Sequence, residues 1–258
     1  QALYNGVLSG VSHSGDLFFY ANPLQVYPPA HKYMTLIGIK PHFKPVRQPW
    51  FDTACCPPNL ARLFMSLGDY TYSQTNSELY VHLYMQSNAT LTINSHQVTI
   101  KQETEYPWGD TVILTIASEV EEDFTLAIRI PGWCRKESFS AAINGTNVPD
   151  PQSLRTKGYI KLKRLWSSGD TVEIRMPMPV ERMYSHPNVR TNCGKVALQR
   201  GPIVYCLEEI DNGPELSGLS IPRKSQLESV YEPELLGGIA VIKTTGHRTD
   251  TQGWNNTL

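Results

Sequence analysis

Cys55 and Cys56 are the residues whose type and spacing carry the sharpest chemistry in this chain. They stand directly before Pro57-Pro58-Asn59. Leu60, Leu63, Phe64 and Leu67 then recur at i, i+3, i+4 and i+7, the spacing of one helical face, and Gly68 is expected to close that helix. Proline is favoured at the first helical position, where its missing N–H would have no partner anyway. Cys56 is therefore expected near the N-cap and Cys55 just outside it. A thiol placed there feels the positive end of the helix dipole and reaches unpaired backbone N–H groups. Both effects favour the thiolate, so both should lower the pKa of a thiol there. A thiolate is a nucleophile and a soft metal ligand. Two adjacent cysteines cannot complete a tetrahedral zinc site, which needs four ligands. His13, His31 and His42 are candidates to add to it, although no spacing recommends them. From spacing alone, a buried reduced pair and a strained vicinal disulfide remain open. A thiol redox role is weaker, because adjacent cysteines close only a strained ring, unlike the usual C-x-x-C.

The elements that must position this pair fall into two regimes. The first 75 or so residues read as the end of a helix (ALYNGVL, closed by Gly10) and two short strands around a Ser14-Gly15-Asp16 turn. A loop rich in Pro and His follows (Pro28, Pro29, His31, Pro41, His42, Pro45), and then the cysteine helix. His13, at the turn near Tyr20, is a candidate to line a pocket. From Tyr70 the period becomes two. Residues 79–85, 89–94, 96–102, 111–117, 124–130, 158–164 and 171–177 all alternate, with turn signals such as Asn144-Gly145 and Ser168-Gly169-Asp170 between them. Strands so spaced imply an antiparallel sandwich. A second β segment starts near Met178 (PVERMYS and KVALQRGPIVYCLEE, broken at Gly201-Pro202), with one further strand at 239–245.

Composition sets the outer bounds. The 258 residues carry 23 basic and 24 acidic side chains, with no like-charged run, which excludes the basic footprint of a nucleic-acid binder. With 40% hydrophobic residues the chain can bury a core. No apolar run reaches the roughly 20 residues of a membrane span. The chain lacks a start methionine, so a piece of a longer protein is expected. Five cysteines, an odd number, argue against a disulfide scaffold and favour an intracellular or bacterial origin, with the cytoplasm as the expected compartment.

The wording around the pair adds a family. KPVRQPWFDTACCPPNLARLFMSLGDYTYS (44–73) resembles the end of the catalytic domain of glycoside hydrolase family 127, the β-L-arabinofuranosidases. ALYNGVLSGVS, LFFYANPL, ELYVHLYM, RIPGWC (129–134) and KVALQRGPIVYCLE (195–208) resemble the same family in the same order. The resemblance implies a mainly β chain, the tail of an (α/α)6-barrel catalytic domain followed by antiparallel β-sandwich domains. The boundaries expected are 1–72 for the barrel remnant, 73–178 for the first sandwich and 179–258 for a second, incomplete one. It implies a retaining exo-enzyme that releases L-arabinofuranose from β-L-arabinosides. Its nucleophile falls on Cys55, and Cys55 and Cys56 ligate zinc together with a further cysteine and a glutamate. Tyr20 of FFYAN is the candidate for a tyrosine that contacts the sugar. The upstream barrel, with the acid/base glutamate and the other two zinc ligands, is absent from these 258 residues, so the isolated chain should lack a complete active site. The partners implied are an arabinose-containing oligosaccharide or glycan and, in a homodimer, a second copy. No nucleic acid or membrane is expected. The competing expectation is a non-catalytic β-sandwich module that binds carbohydrate or packs against another domain; a strip of exposed aromatics on one sheet face would mark it.

Other reactive side chains read more plainly. Cys134 and Cys206 are expected in the core and Cys193 in an exposed turn. His82 and His96 read as surface or satisfied polar residues. Glu78, Glu119, Glu121 and Glu122 read as solvated turn charges. Arg47 is a loop charge or a carboxylate partner, and Trp50 and Phe51 form either a sugar-facing wall or packing for the helix.

Overall fold

The computed structural model describes residues 1–21, 26, 44–52, 55–135 and 138–250. His31 and His42, most of the Pro-rich loop and the final GWNNTL lie outside the described residues. The chain divides into two compact units, Gln1–Pro177 and Met178–Leu258.

The first unit opens with a widened helical turn, Leu3–Val7, that tightens over Leu8–Gly10. Val11 then bridges Phe18 antiparallel, and Phe18 bridges Gln48 on its other side. Helix α1 spans Cys56–Met65 with proline in its first turn, as the spacing implies. It does not close at Gly68. Ser66 ends it, its hydroxyl donating to the Arg62 carbonyl (2.9 Å), and Gly68 falls inside a further tight turn, Leu67–Tyr70. The helix end is thus satisfied by a side chain and a tightened turn, with no left-handed glycine needed.

Eleven strands follow: β1 Tyr72–Gln74, β2 Glu78–Val81, β3 Ser87–Ile93, β4 His96–Thr104, β5 Thr111–Ser118, β6 Glu122–Arg129, β7 Ser140–Ile143, β8 Thr146–Asn147, β9 Arg155–Thr156, β10 Tyr159–Trp166 and β11 Thr171–Arg175. They form two sheets, in the orders β1-β2-β6-β10-β9 and β3-β4-β5-β11-β7-β8. Alternate residues of each sheet meet between them. Leu79, Val81, Leu126, Ile128, Ile160 and Leu162 come from the first sheet. Ile93, Val98, Ile100, Val112, Leu114, Ile116, Val172 and Ile174 come from the second. Burying each such side chain is worth about 1.5–3 kcal/mol, which is why the alternation in the sequence settles into a two-layer core. Trp166 and Phe124 pack together at one end, and the buried indole N–H donates to the Phe124 carbonyl at 3.0 Å. One pairing departs from the antiparallel expectation: β2 runs parallel to β6. Between them the chain makes β3, β4 and β5 in the opposite sheet, so it re-enters the first sheet in the same direction.

The β3–β4 turn ties the layers together. Asn94 and Ser95 occupy left-handed conformations (φ 47° and 73°) in the β3–β4 hairpin. The Asn94 amide donates to Glu122 Oε2 at 3.1 Å, and His96 bonds the other carboxylate oxygen. Glu122 is therefore buried, not a solvated turn charge; the clamp between the sheets replaces its water. Cys134 is buried, as expected. On the outer face of the first sheet, His82 bonds Ser73 and Tyr159, and Lys161 pairs with Glu78 at 2.7 Å.

The second unit carries β12 Val180–Met183, β13 Ala197–Arg200 and β14 Ile203–Tyr205 in one antiparallel sheet. A single helical turn, α2 Glu209–Asn212, precedes two hairpin-like pairs: β15 Leu219–Ser220 with β18 His247–Arg248, and β16 Leu227–Glu232 with β17 Ile239–Thr244. Gly201 lies at φ 52° in the β13–β14 turn, where a Cβ would come within 2.5 Å of the Met178 sulfur. Cys206 is exposed and not in the core, because β14 ends at Tyr205 and the strand pairing that would bury it stops there. The protein is mainly β. No helix among the described residues is long and apolar enough to cross a membrane.

Candidate active site

Three backbone segments converge at the head of α1. The paired bridges fix Phe18 from both sides: Phe18 N–H donates to the Gln48 carbonyl and Gln48 N–H returns the bond, both at 2.9 Å. Tyr20 therefore leaves this small ladder two residues after Phe18, and Phe51 three residues after Gln48. Phe51 packs edge-on against Phe18 with ring centres 5.1 Å apart, and tilted against Tyr20 at 5.7 Å. Asp52 follows in a left-handed conformation (φ 55°).

Cys55 is the N-cap residue, already at helical angles (φ −76°, ψ −38°), and its sulfur makes no capping bond. Asn59 fastens the first turn instead, its amide donating to the Cys55 carbonyl at 2.7 Å. The sulfur is thus left for other work. Tyr20 Oη lies 3.7 Å from Cys55 Sγ, and the two sulfurs lie 3.6 Å apart. Both thiols are free, so the vicinal disulfide is absent. The two thiols shift in opposite directions. The hydrogen bond from Tyr20, followed by that from Cys56, holds the exposed Cys55 thiol below its ordinary value. Burial pushes Cys56 up, and the neighbouring Cys55 adds to the rise through its hydrogen bond and charge. The pair is therefore asymmetric, with Cys55 the readier thiolate.

The remaining sequence candidates divide sharply. Trp50 is 52% exposed while its neighbour Phe51 is 5% exposed, so only Phe51 is packing. Arg47 pairs with no carboxylate among the described residues; its guanidinium donates to the Ser9 carbonyl (2.7 Å) and lies over the Phe19 ring (4.8 Å). His13 is exposed on the 12–16 turn, and no hydrogen bond among the described residues joins it to Tyr20 or the cysteines. No group of three or more His, Cys, Asp or Glu among the described residues could hold a metal ion. Sequence reasoning missed the Phe18–Phe51–Tyr20 packing, because its members are brought together by the Phe18–Gln48 bridge, a contact without a periodic signature.

Comparison with known proteins assigns a class to this arrangement of a thiol-bearing helix ahead of β-sandwich strands. Three family models, all of glycoside hydrolases, match successive stretches of the chain. The GH127 β-L-arabinofuranosidase catalytic domain matches residues 1–69, its middle domain 78–178, and the glycoside hydrolase family 127 C-terminal domain 180–244. The chain belongs to glycoside hydrolase family 127. The crystal structure of a GH127 β-L-arabinofuranosidase from Geobacillus stearothermophilus T6 superposes with a TM-score of 0.92 at 52% identity, covering 100% of this chain and 39% of that one. A GH127 β-arabinofuranosidase gives a TM-score of 0.83 at 34% identity, over 97% of this chain and 39% of its own. The non-reducing end β-L-arabinofuranosidase of Bifidobacterium longum subsp. longum is 30% identical over 252 residues, 94% of this chain and 36% of that protein. The chain thus spans well under half the length of these relatives.

Proposed function

We propose that this chain supplies the nucleophilic half of a retaining exo-glycoside hydrolase that releases L-arabinofuranose from β-L-arabinosides. The observation that carries the reading is the asymmetry of the cysteine pair: Cys55 is exposed, lies 3.7 Å from Tyr20 Oη and is the readier thiolate. In a retaining reaction one group attacks the anomeric carbon while an acid protonates the leaving oxygen. Cys55 Sγ forms the bond to C1 as the C1–O bond breaks. The proton comes from a carboxylic acid supplied by a part of the protein outside this chain. That acid, now a carboxylate, then takes a proton from water, whose oxygen displaces the sulfur. Tyr20 would both hold the sulfur and contact the sugar.

Two soft sulfurs 3.6 Å apart fit half of a zinc coordination shell, and the other ligands would come from elsewhere in the protein. Zinc held there would keep the thiol ionised near neutral pH. Cys55 would act as ligand and nucleophile, Cys56 as ligand alone. The rival reading, a carbohydrate-binding sandwich, draws less support. Tyr80, His82 and Tyr159 on the outer sheet face pack against one another, with Tyr159 at 84° to both neighbours and its hydroxyl bonded to His82. The test is replacement in the full-length protein. Cys55→Ser should lower kcat on a β-L-arabinofuranoside by at least about a thousandfold. Cys56→Ser should lower the zinc content measured by elemental analysis. Undiminished hydrolysis by Cys55→Ser refutes the nucleophile assignment, and undiminished zinc in Cys56→Ser refutes the ligand assignment.

A further inference from the structure

We infer that Phe51 is a positioning residue for Cys55, acting through Tyr20. The inference rests on the reading of Cys55 as nucleophile and adds the part that aims it. Tyr20 is the side chain whose hydroxyl reaches the Cys55 sulfur, yet its backbone belongs to a segment 35 residues away. A tyrosine ring turns about two torsions, and a change in either carries its oxygen several ångströms. Something must hold that ring. Phe51 is placed to do so: it is buried beside the exposed Trp50, and it touches both Tyr20 (5.7 Å) and Phe18 (5.1 Å). Phe18 in turn is locked by backbone bonds to Gln48 and by its bridge to Val11. The order of support therefore runs from the Val11–Phe18–Gln48 ladder to the Phe51 ring, to the Tyr20 ring, to the sulfur.

A ring with no reactive atom thus helps to hold the tyrosine hydroxyl at its 3.7 Å contact with the Cys55 sulfur. Phe51→Leu keeps an apolar side chain and removes the ring faces that hold Tyr20. The loss expected is that of one hydrogen bond, about threefold to tenfold.

The experiment uses the full-length protein: kcat/KM is measured as purified, and limiting iodoacetamide is applied at one fixed pH after a chelator has removed metal, as verified by elemental analysis. Peptide mass spectrometry reads the ratio of label on Cys55 to label on Cys56. Phe51→Leu should lower that ratio about threefold to tenfold, with kcat/KM falling alongside. Tyr20→Phe should produce the same drop, and the double variant should drop no further, because both act on one contact. Phe51→Tyr, which keeps the ring, should retain the original ratio. Phe51→Met serves as a second ring-free variant should the leucine protein fold poorly. A merely structural role would raise labelling of both cysteines together and leave the ratio unchanged; that result overturns the inference. Additive drops in the double variant overturn it as well. Cys55→Ser separates the two readings. Retained hydrolysis in that variant sinks the nucleophile, whereas the labelling ratio tests the positioning by itself.

Discussion

Asp170→Asn should destabilise the first unit by about 2–3 kcal/mol at neutral pH. Asp170 is buried at the turn that carries the chain from β10 in one sheet to β11 in the other. One carboxylate oxygen accepts the Asn144 amide at 2.7 Å, and the other accepts the Ser167 N–H at 2.9 Å. Arg164 stands 3.7 Å away. Asn144 is itself held, its carbonyl accepting the Thr171 N–H at 2.8 Å, so one carboxylate fastens both the β10–β11 turn and the β7–β8 hairpin. An asparagine keeps one acceptor and points an N–H₂ at the second donor. The variant loses charge-assisted bonds worth about 1.5–3 kcal/mol each, partly offset by the easier burial of a neutral group. The partly exposed arginine pair adds at most about 1 kcal/mol. For a unit of this size the melting point should fall by about 5–10 °C. The pH dependence has a definite sign. Burial alone would raise the Asp170 pKa, but the Ser167 N–H, the Asn144 amide and the Arg164 charge together bring it below 3.8. Its stabilisation is therefore complete above that value and fades as pH drops through the lower, folded-state pKa. Thermal melts of both proteins at pH 7 and pH 3 check this. Equal melting points at pH 7, or a gap that stays constant down to pH 3, would refute the reasoning.

Two further substitutions probe the scaffold. Trp166→Phe removes the buried indole's bond to the Phe124 carbonyl and opens space at the end of the core, so urea unfolding should show a loss of about 2–4 kcal/mol. Gly201→Ala meets both a left-handed backbone and the Met178 sulfur at 2.5 Å; hydrogen exchange should speed up over Met178–Leu258 and stay unchanged over the β-sandwich of the first unit.

The long strands at 89–94, 96–102 and 111–117 were legible because each turns alternate residues to the core, which writes a period of two into the sequence. The Asn144-Gly145 turn was legible for a local reason too: its two residues sit at φ 49° and 76°, a conformation that few other pairs adopt. Short strands such as Tyr72–Gln74, Arg155–Thr156 and Leu219–Ser220 left no such mark, since two or three residues cannot show a period and their pairing depends on distant partners. Glu122 misled for a related reason. Its composition says solvent, and only the approach of Asn94 and His96 from the other sheet makes its burial affordable.

At the site the division is equally clear. Two thiols at the head of a helix that begins with proline are a local fact, set by residues 55–67 alone and readable from the chain. Which thiol ionises more readily is not local. Burial raises Cys56, and the hydroxyl that most lowers Cys55 arrives from residue 20, whose ring packs on Phe51, itself against Phe18 in the bridge to Gln48. Contacts between residues far apart in sequence leave no spacing to read, so tertiary structure alone decided that asymmetry.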